Sequence, residues 1–274
     1  MRKNKLQNEN VLITGASSGI GYELSKIFAK NGYNLIIIAR NYKRLEEISN
    51  EIVEKFNVKV KIIEKNLSVT SSALEIFNEL KKENIEVNIL INNAGAGNCG
   101  VFSDIDYKND IDIINLNITT LTILTKLFSS DMIERRYGKI LNIASTGAYQ
   151  PGPYTAVYYA TKAYVLSLSE ALTIELKDYG IKVSTLCPGS TKTEFSKRAG
   201  KYDINIAMSA EKVAKIAYKG LLKNKRIIIP GFRNKVTILL SKISPGNISG
   251  HFVKKIQKTL LIKKHQNNTK NYKK

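Results

Sequence analysis

Histidine is nearly missing from this chain: there are two, His251 and His265, so nothing between residues 1 and 250 can use an imidazole as a metal ligand or a general base. Cysteine is equally scarce. Cys99 and Cys187 lie far apart in sequence, which speaks against a disulfide framework and a cysteine metal cluster. No apolar run approaches the roughly 18 residues that a spanning helix needs, and the first residues lack the apolar centre of a secretory signal, so a soluble, cytoplasmic chain is expected. Acidic residues are missing from one region. Residues 212–274 carry 17 Lys and Arg and no Asp or Glu, leaving 26 basic against 23 acidic residues in the first 211. The net charge of +20 therefore belongs to the C-terminal part, and the rest is close to neutral.

At 274 residues and 43% hydrophobic, the chain can bury one large core. Apolar runs of strand length alternate with helical patterns, which predicts an α/β fold: a Rossmann-type, doubly wound parallel sheet of about seven strands. The expected division is a dinucleotide-binding and catalytic domain over 1–232 and a basic, helical C-terminal extension over 233–274. Val11, Leu12 and Ile13 form a short strand running into Thr14-Gly15-Ala16-Ser17-Ser18-Gly19-Ile20-Gly21. Glycines at a strand-to-helix turn let backbone approach a pyrophosphate, and the helix start, expected over 22–31, adds free N–H groups and a positive dipole end. The same residues contain Gly15-x-Ser17-x-Gly19, the pattern of a hydrolase nucleophile elbow. That reading puts the serine too early in the chain and leaves only a C-terminal histidine as its base.

A second strand over 34–39 ends at Arg40, followed by Lys43 and Arg44 with no acid before Glu46. A carboxylate here would suit a ribose 2′-hydroxyl, whereas arginine suits a 2′-phosphate, so NADP (NADPH) is the expected cofactor. A helix over 45–56, a strand over 59–65 and a helix over 71–84 lead to a strand over 88–91 that closes on Asn92-Asn93-Ala94-Gly95. Small residues there would let the chain pass close to a flat ligand, although a simple turn has the same composition. A long helix over 111–133 contains Asn115 and Asn117, poor helix formers whose cost invites a functional explanation. A strand over 139–144 ends at Ser145. A helix starting near Ala156 and stopping at Gly180 places Tyr158 and Lys162 at i and i+4, on one face. An ammonium beside a phenol would bring its pKa from about 10 toward neutrality, which suits proton transfer to and from a carbonyl oxygen. Tyr-x-x-x-Lys alone is a weak pattern; its neighbours give it weight. A strand over 182–187, the turn from Pro188 to Phe195, a helix over 210–223 and a strand over 226–229 complete the body.

These motifs, in this order, resemble the short-chain dehydrogenase/reductase superfamily over roughly residues 10–230. The branch that looks most similar acts on lipophilic carbonyls, the steroid and long-chain 3-oxoacyl reductases, on the strength of Leu186-Cys187-Pro188-Gly189-x-Thr191-x-Thr193-Glu194-Phe195 and the extension beyond the last strand. The resemblance implies Tyr158 as acid/base, Lys162 lowering its pKa and binding the nicotinamide ribose, Ser145 orienting the substrate oxygen, and Asn117 holding a water that links Lys162 to a proton relay. It implies a cofactor cradle of Gly15, Ser17, Ser18, Gly19, Ile20 and Gly21, with Arg40 at the 2′-phosphate. Asn66, Leu67, Asn93, Ala94 and Gly95 would lie on the adenine side, and Pro188, Gly189, Thr191 and Thr193 at the nicotinamide. Asn66 departs from the family, which usually has an Asp there; an amide can still accept from an adenine amine. No metal is expected. Residues near Gly97, Asn98, Tyr149, Pro153 and Phe195 are expected to line the substrate pocket.

The implied activity is an NADPH-dependent reductase, or reversible dehydrogenase, exchanging hydride between a nicotinamide and a small-molecule ketone or secondary alcohol, in a homo-oligomer (dimer or tetramer). The alternative is a non-catalytic NADP-binding, nucleic-acid-binding or membrane-surface protein, for which the basic extension is the support; nucleic acid is the less expected partner. Over 252–260, Phe252, Val253, Ile256 and Leu260 fall on one helical face and Lys254, Lys255 and Lys258 on another. Such a helix can lie on an anionic membrane surface or meet an acidic carrier protein, which would make the chain peripheral at a membrane. It can equally be a lysine-rich solvated helix packed on the body. Fraying is expected from about residue 266.

Overall fold

The computed structural model describes residues 9–198 and 207–271. Strands β1 (Asn10–Thr14), β2 (Asn34–Ala39), β3 (Val60–Glu64), β4 (Ile89–Asn92), β5 (Gly138–Ile143), β6 (Ile181–Leu186) and β7 (Ile227–Ile228) form a seven-stranded parallel sheet in the order β3-β2-β1-β4-β5-β6-β7. The order reverses between β1 and β4. Chain leaving the carboxyl ends of these two neighbours must diverge, and the crevice between is where open α/β sheets bind ligands.

Both sheet faces are covered, which is why the strands read as nearly unbroken apolar runs. Along β1, Val11 and Ile13 point to one side and Leu12 to the other, all fully buried. The first side packs on α1 (Gly19–Lys30), α2 (Tyr42–Phe56) and α6 (Ala210–Leu222), through Phe28, Ile48 and Ala217 among others. The second packs on α3 (Ser72–Lys82) and α4 (Tyr107–Glu134), with Ile76, Leu124, Phe128 and Met132 buried. Among the described residues, α4 is the one helix long and apolar enough to cross a membrane, and its apolar residues are used on the sheet. Helix α5 (Ala156–Glu175) runs beside it.

Three helices begin earlier than the sequence predicts, α4 at Tyr107 rather than 111 among them. Helix α1 begins at Gly19, with Ser18 as an extended N-cap residue, so the glycines that look like loop already belong to the first turn. Helix α2 begins at Tyr42 because the Asn41 side chain accepts from the Arg44 amide at 3.0 Å, a local cap that periodicity does not reveal. In α4 the residues Asn115–Thr120 form a π turn, which changes the face presented and carries Asn117 into the interior.

The extension folds as two helices, α7 (Phe232–Ile243), which the sequence did not single out, and α8 (Gly246–Asn271). Ile238 of α7 joins Leu121, Ala144, Val165 and Cys187 in a small third core. The apolar face expected over 252–260 is split: Val253 is buried, Leu260 half-buried and Ile256 partly exposed beside the cleft, while Phe252 is exposed. The helix continues past the position where fraying was expected, and residues 272–274 lie outside the described residues.

Candidate active site

The crevice opens between the turn after β1 and the loop after β4. Gly15 and Gly19 adopt φ of +66° and +57°, a region open to glycine but strained for other residues. A side chain on Gly15 would also strike the Ala94 backbone at 2.9 Å. Thr14 and Asn93 hold the two loops together. The Thr14 hydroxyl accepts from the amides of Asn93 and Ala94, both at 3.0 Å, and the Asn93 amide donates to the carbonyls of Thr14 at 2.9 Å and Gly15 at 3.1 Å. Thr14 belongs to the motif but not to the expected cofactor cradle. Its burial beside two backbone amides is visible only in three dimensions.

The first turn of α1 fits a pyrophosphate. Ser18 makes no side-chain cap and the turn holds no acid, so neither a capping oxygen nor a carboxylate competes for its N–H groups. Gly15, Ser17, Ser18, Gly19 and Ile20 line a cleft of about 1260 Å³ that continues past Arg40, Asn66 and Leu67 at one end. Gly21 is buried behind it, where close packing on Gly15 leaves no room for a side chain. Arg40 is exposed, and no side chain among the described residues pairs with it. Arg44 and Lys65 also border the cleft, but Arg44 is paired with Glu47 at 2.8 Å and Lys65 with Glu75 at 2.7 Å. The Asn66 side-chain oxygen accepts from the Ser68 amide at 3.2 Å, which ties up one of its lone pairs within its own turn.

At the other end stand Ser145, Tyr158 and Lys162, with Ala94, Gly95, Pro188, Gly189, Thr191 and Thr193 around them. Ser145 follows β5 in an extended conformation, its hydroxyl accepting from the Gly147 amide at 3.1 Å, and lines the cleft together with Tyr158. Tyr158 is buried, its ring tilted against Phe195 at 5.5 Å, and Gly97 lies so close that an added Cβ would sit 2.8 Å from the ring. The Thr193 methyl fills the space over Gly19. Thr191 donates to the Gly189 carbonyl at 3.0 Å, closing the turn.

The expected electrostatics of the pair are not what this geometry gives. Burial pushes the Tyr158 phenol up to about 12, with the Ser145 hydrogen bond acting in the opposite direction. The Lys162 ammonium stands 5.8 Å from the centre of the Tyr158 ring and donates to the Ile143 carbonyl at 2.8 Å. Burial brings it down to about 8. Spacing of i and i+4 put the two on one face, as expected, but a strand-end carbonyl captures the charge.

Asn117 does not line the cleft. Fully buried, its amide donates to the Ala96 carbonyl at 2.8 Å and to the Thr161 hydroxyl at 3.0 Å, and its oxygen accepts from the Ala96 amide at 2.9 Å. It locks the β4 loop to α5 one residue from Lys162, a positioning role. An added Cβ on Gly95 would lie 3.3 Å from the Asn117 oxygen and 3.4 Å from Lys162 Nζ, so the two groups flank one glycine. Of the expected pocket residues, Gly97, Asn98 and Phe195 line the cleft, while Tyr149 and Pro153 do not. Tyr149 instead turns its hydroxyl to the Cys187 sulfur at 3.8 Å. In their place the C-terminal helices contribute Asn234, Thr237, Ile256, Gln257 and Leu260. Gln257 is buried and reaches the Tyr159 hydroxyl at 3.4 Å.

Comparison with known proteins agrees with this arrangement. Residues 9–203 match the family model described as short chain dehydrogenase. The very-long-chain 3-oxoacyl-CoA reductase of Rattus norvegicus is 35% identical over 69% of this chain and 61% of its own length. The 17-beta-hydroxysteroid dehydrogenase type 3 of Mus musculus is 34% identical over 68% and 61%. The match thus spans about three fifths of these curated relatives. A short-chain dehydrogenase from Sphingobium yanoikuyae, solved in complex with NADPH, superimposes with a TM-score of 0.78 at 30% identity, covering 86% of this chain and 96% of that one. With a nucleotide-type crevice at the sheet's switch point and a serine, tyrosine and lysine at its inner end, the chain belongs to the short-chain dehydrogenase/reductase family and has the cleft of a nicotinamide-dependent protein.

Proposed function

We propose that this protein is an NADPH-dependent reductase of lipophilic ketones, with 3-oxoacyl thioesters or steroid-like ketones as the substrate class. The observation that carries the reading is the meeting of Ser145, Tyr158 and Lys162 at the inner end of the cleft, with burial keeping the Tyr158 phenol protonated at neutral pH. Gly15, Ser17, Ser18, Gly19 and Ile20 would hold the pyrophosphate, and Arg40 the 2′-phosphate. Asn66, Leu67, Asn93 and Ala94 would hold the adenosine side, and Gly95, Pro188, Gly189, Thr191 and Thr193 the nicotinamide side. When bound there, reduced nicotinamide supplies a hydride to the carbonyl carbon.

The chain's own residues do the rest. Ser145 donates to the carbonyl oxygen and aims it at Tyr158. As negative charge develops on that oxygen it becomes more basic than the phenol, and Tyr158 gives up its proton. Lys162, held by the Ile143 carbonyl, places a positive charge on the side where the phenolate forms. The resting protonation of Tyr158 supplies the proton that reduction of a carbonyl consumes. The named relatives act on a very-long-chain 3-oxoacyl-CoA and on a 17-beta-hydroxysteroid, which supports a lipophilic substrate. Gly97, Phe195 and Ile256 along the cleft are compatible with one.

The test is NADPH oxidation against a panel of ketones and 3-oxoacyl thioesters by wild type and Tyr158→Phe. Loss of about 10²- to 10⁴-fold in kcat is expected, with NADPH binding by fluorescence retained. Undiminished turnover in the variant would remove Tyr158 from the chemistry.

A further inference from the structure

Helix α7 is amphipathic in the inverted sense for a helix surrounded by water. Asn234, Ile238 and Ser241 face the body, Ser241 donating to the Gln150 side chain at 2.9 Å. On the opposite side Phe232, Val236, Leu239, Leu240 and Ile243 form one stripe at i, i+4, i+7, i+8 and i+11, and all five are 39–79% exposed. Helix α8 adds the exposed Ile248 and Phe252, four residues apart on one face. Scattered exposed apolar residues need no explanation, but five bulky ones along one face of a single helix do. Arg233, Lys235 and Lys242 flank it on α7, and Lys254, Lys255 and Lys258 on α8.

We propose that α7 and the first half of α8 dock on an anionic lipid bilayer, the apolar stripe entering the acyl boundary and the flanking cations meeting the headgroups. Charge selects this occupant over a second copy of the chain. Pairing the surface with itself would face cations with cations, and residues 212–274 contain no acid to compensate. Anionic headgroups supply the missing charge, and bulky side chains such as Phe232 and Phe252 suit the boundary beneath them. The same helices wall the cleft through Asn234, Thr237, Ile256 and Gln257. Resting on the proposed function, the docked molecule therefore holds its cleft beside the phase in which a lipophilic ketone dissolves.

The experiment is co-sedimentation of the full chain with vesicles of phosphatidylcholine alone and of phosphatidylcholine with phosphatidylserine, at low and high salt. Wild type is expected to partition onto the anionic vesicles and to be weakened by salt. The triple variant Phe232→Ser, Leu239→Ser, Ile243→Ser should lose at least about tenfold in partition. Lys235→Gln with Lys255→Gln should lose binding on anionic vesicles, and Ile174→Ser, an exposed residue of α5, should change nothing. Turnover of a water-soluble ketone by the triple variant should equal wild type, which separates failure of docking from failure of the catalytic reading. Absence of wild-type binding, or equal partition of the triple variant, would overturn the proposal. So would a lipid-free wild-type dimer that the triple variant converts to a monomer, because the stripe would then belong to a second copy.

Discussion

Replacing Lys162 by methionine separates what its ammonium costs the fold from what it contributes to the site. Nζ is buried, bonded to the Ile143 carbonyl, and has no carboxylate partner among the described residues. Burial holds its pKa at about 8 against an ordinary 10.5, with the nearby Cys187 acting weakly in the other direction. At about 1.4 kcal/mol for each tenfold change in proton affinity, this gap amounts to about 3 kcal/mol. Below pH 8 the folded chain carries the whole cost of the buried charge. Between pH 8 and 10.5 the folded protein releases this proton before the unfolded one does, so stability rises with pH across that window. The methionine variant lacks the rise. Near pH 7 it should be the more stable protein by about 1–2 kcal/mol, the charge cost being offset in part by the lost hydrogen bond. Urea denaturation of both proteins at intervals from pH 7 to 10.5 measures this, and the difference between the two curves cancels the tyrosines that titrate in both. A difference that stays flat with pH would show that the ammonium is well solvated and would refute the reasoning.

Arg40→Ala should weaken NADPH binding by about 10- to 100-fold, the worth of a charge-assisted hydrogen bond, and leave NADH binding unchanged; fluorescence titration with both nucleotides measures it. Gly97→Ala would set a methyl 2.8 Å from the Tyr158 ring and 3.4 Å from Phe195. The displaced phenol should lower kcat by about 10- to 100-fold while NADPH affinity is kept, and steady-state kinetics with a cofactor titration distinguishes the two. Asn142→Ala removes the middle of a buried polar chain, in which Asn92 donates to Asn142 at 2.9 Å and Asn142 to Ser169 at 2.9 Å. A loss of about 2–4 kcal/mol in urea denaturation is expected, because both neighbours are left short of a partner.

Much of the body was legible because its information is local. Alternating apolar runs located the strands, Gly15 and Gly19 announced their turn, and the spacing of Tyr158 and Lys162 set them on one helix face. What escaped depends on contacts between distant segments. Asn92 and Asn142 each look like an isolated polar residue at the end of an apolar strand, and only the register that pairs them explains both. The raised pKa of Tyr158 follows from burial and from an Ile143 carbonyl that claims the lysine, neither of which a spacing of four encodes. Of the three cations after β2, Arg40 is the one expected at the 2′-phosphate; Arg40 and Arg44 border the cleft and Lys43 does not. The periodicity of 252–260 gave a helix but not its orientation, so the line between Val253 and Phe252 had to come from the packing.

Gln257 gives the final helix a second consequence. Its side chain is sealed against the Tyr159 hydroxyl, and the Tyr159 ring stands edge-on to that of Tyr158 at 6.0 Å. A chain ended before residue 246 would keep every motif by which its lineage is recognised, yet it would admit bulk water to the chamber from that side. Hydrated, the phenol would relax toward the acidity of tyrosine in solution, so shortening the molecule at its far end would alter the proton chemistry at its centre.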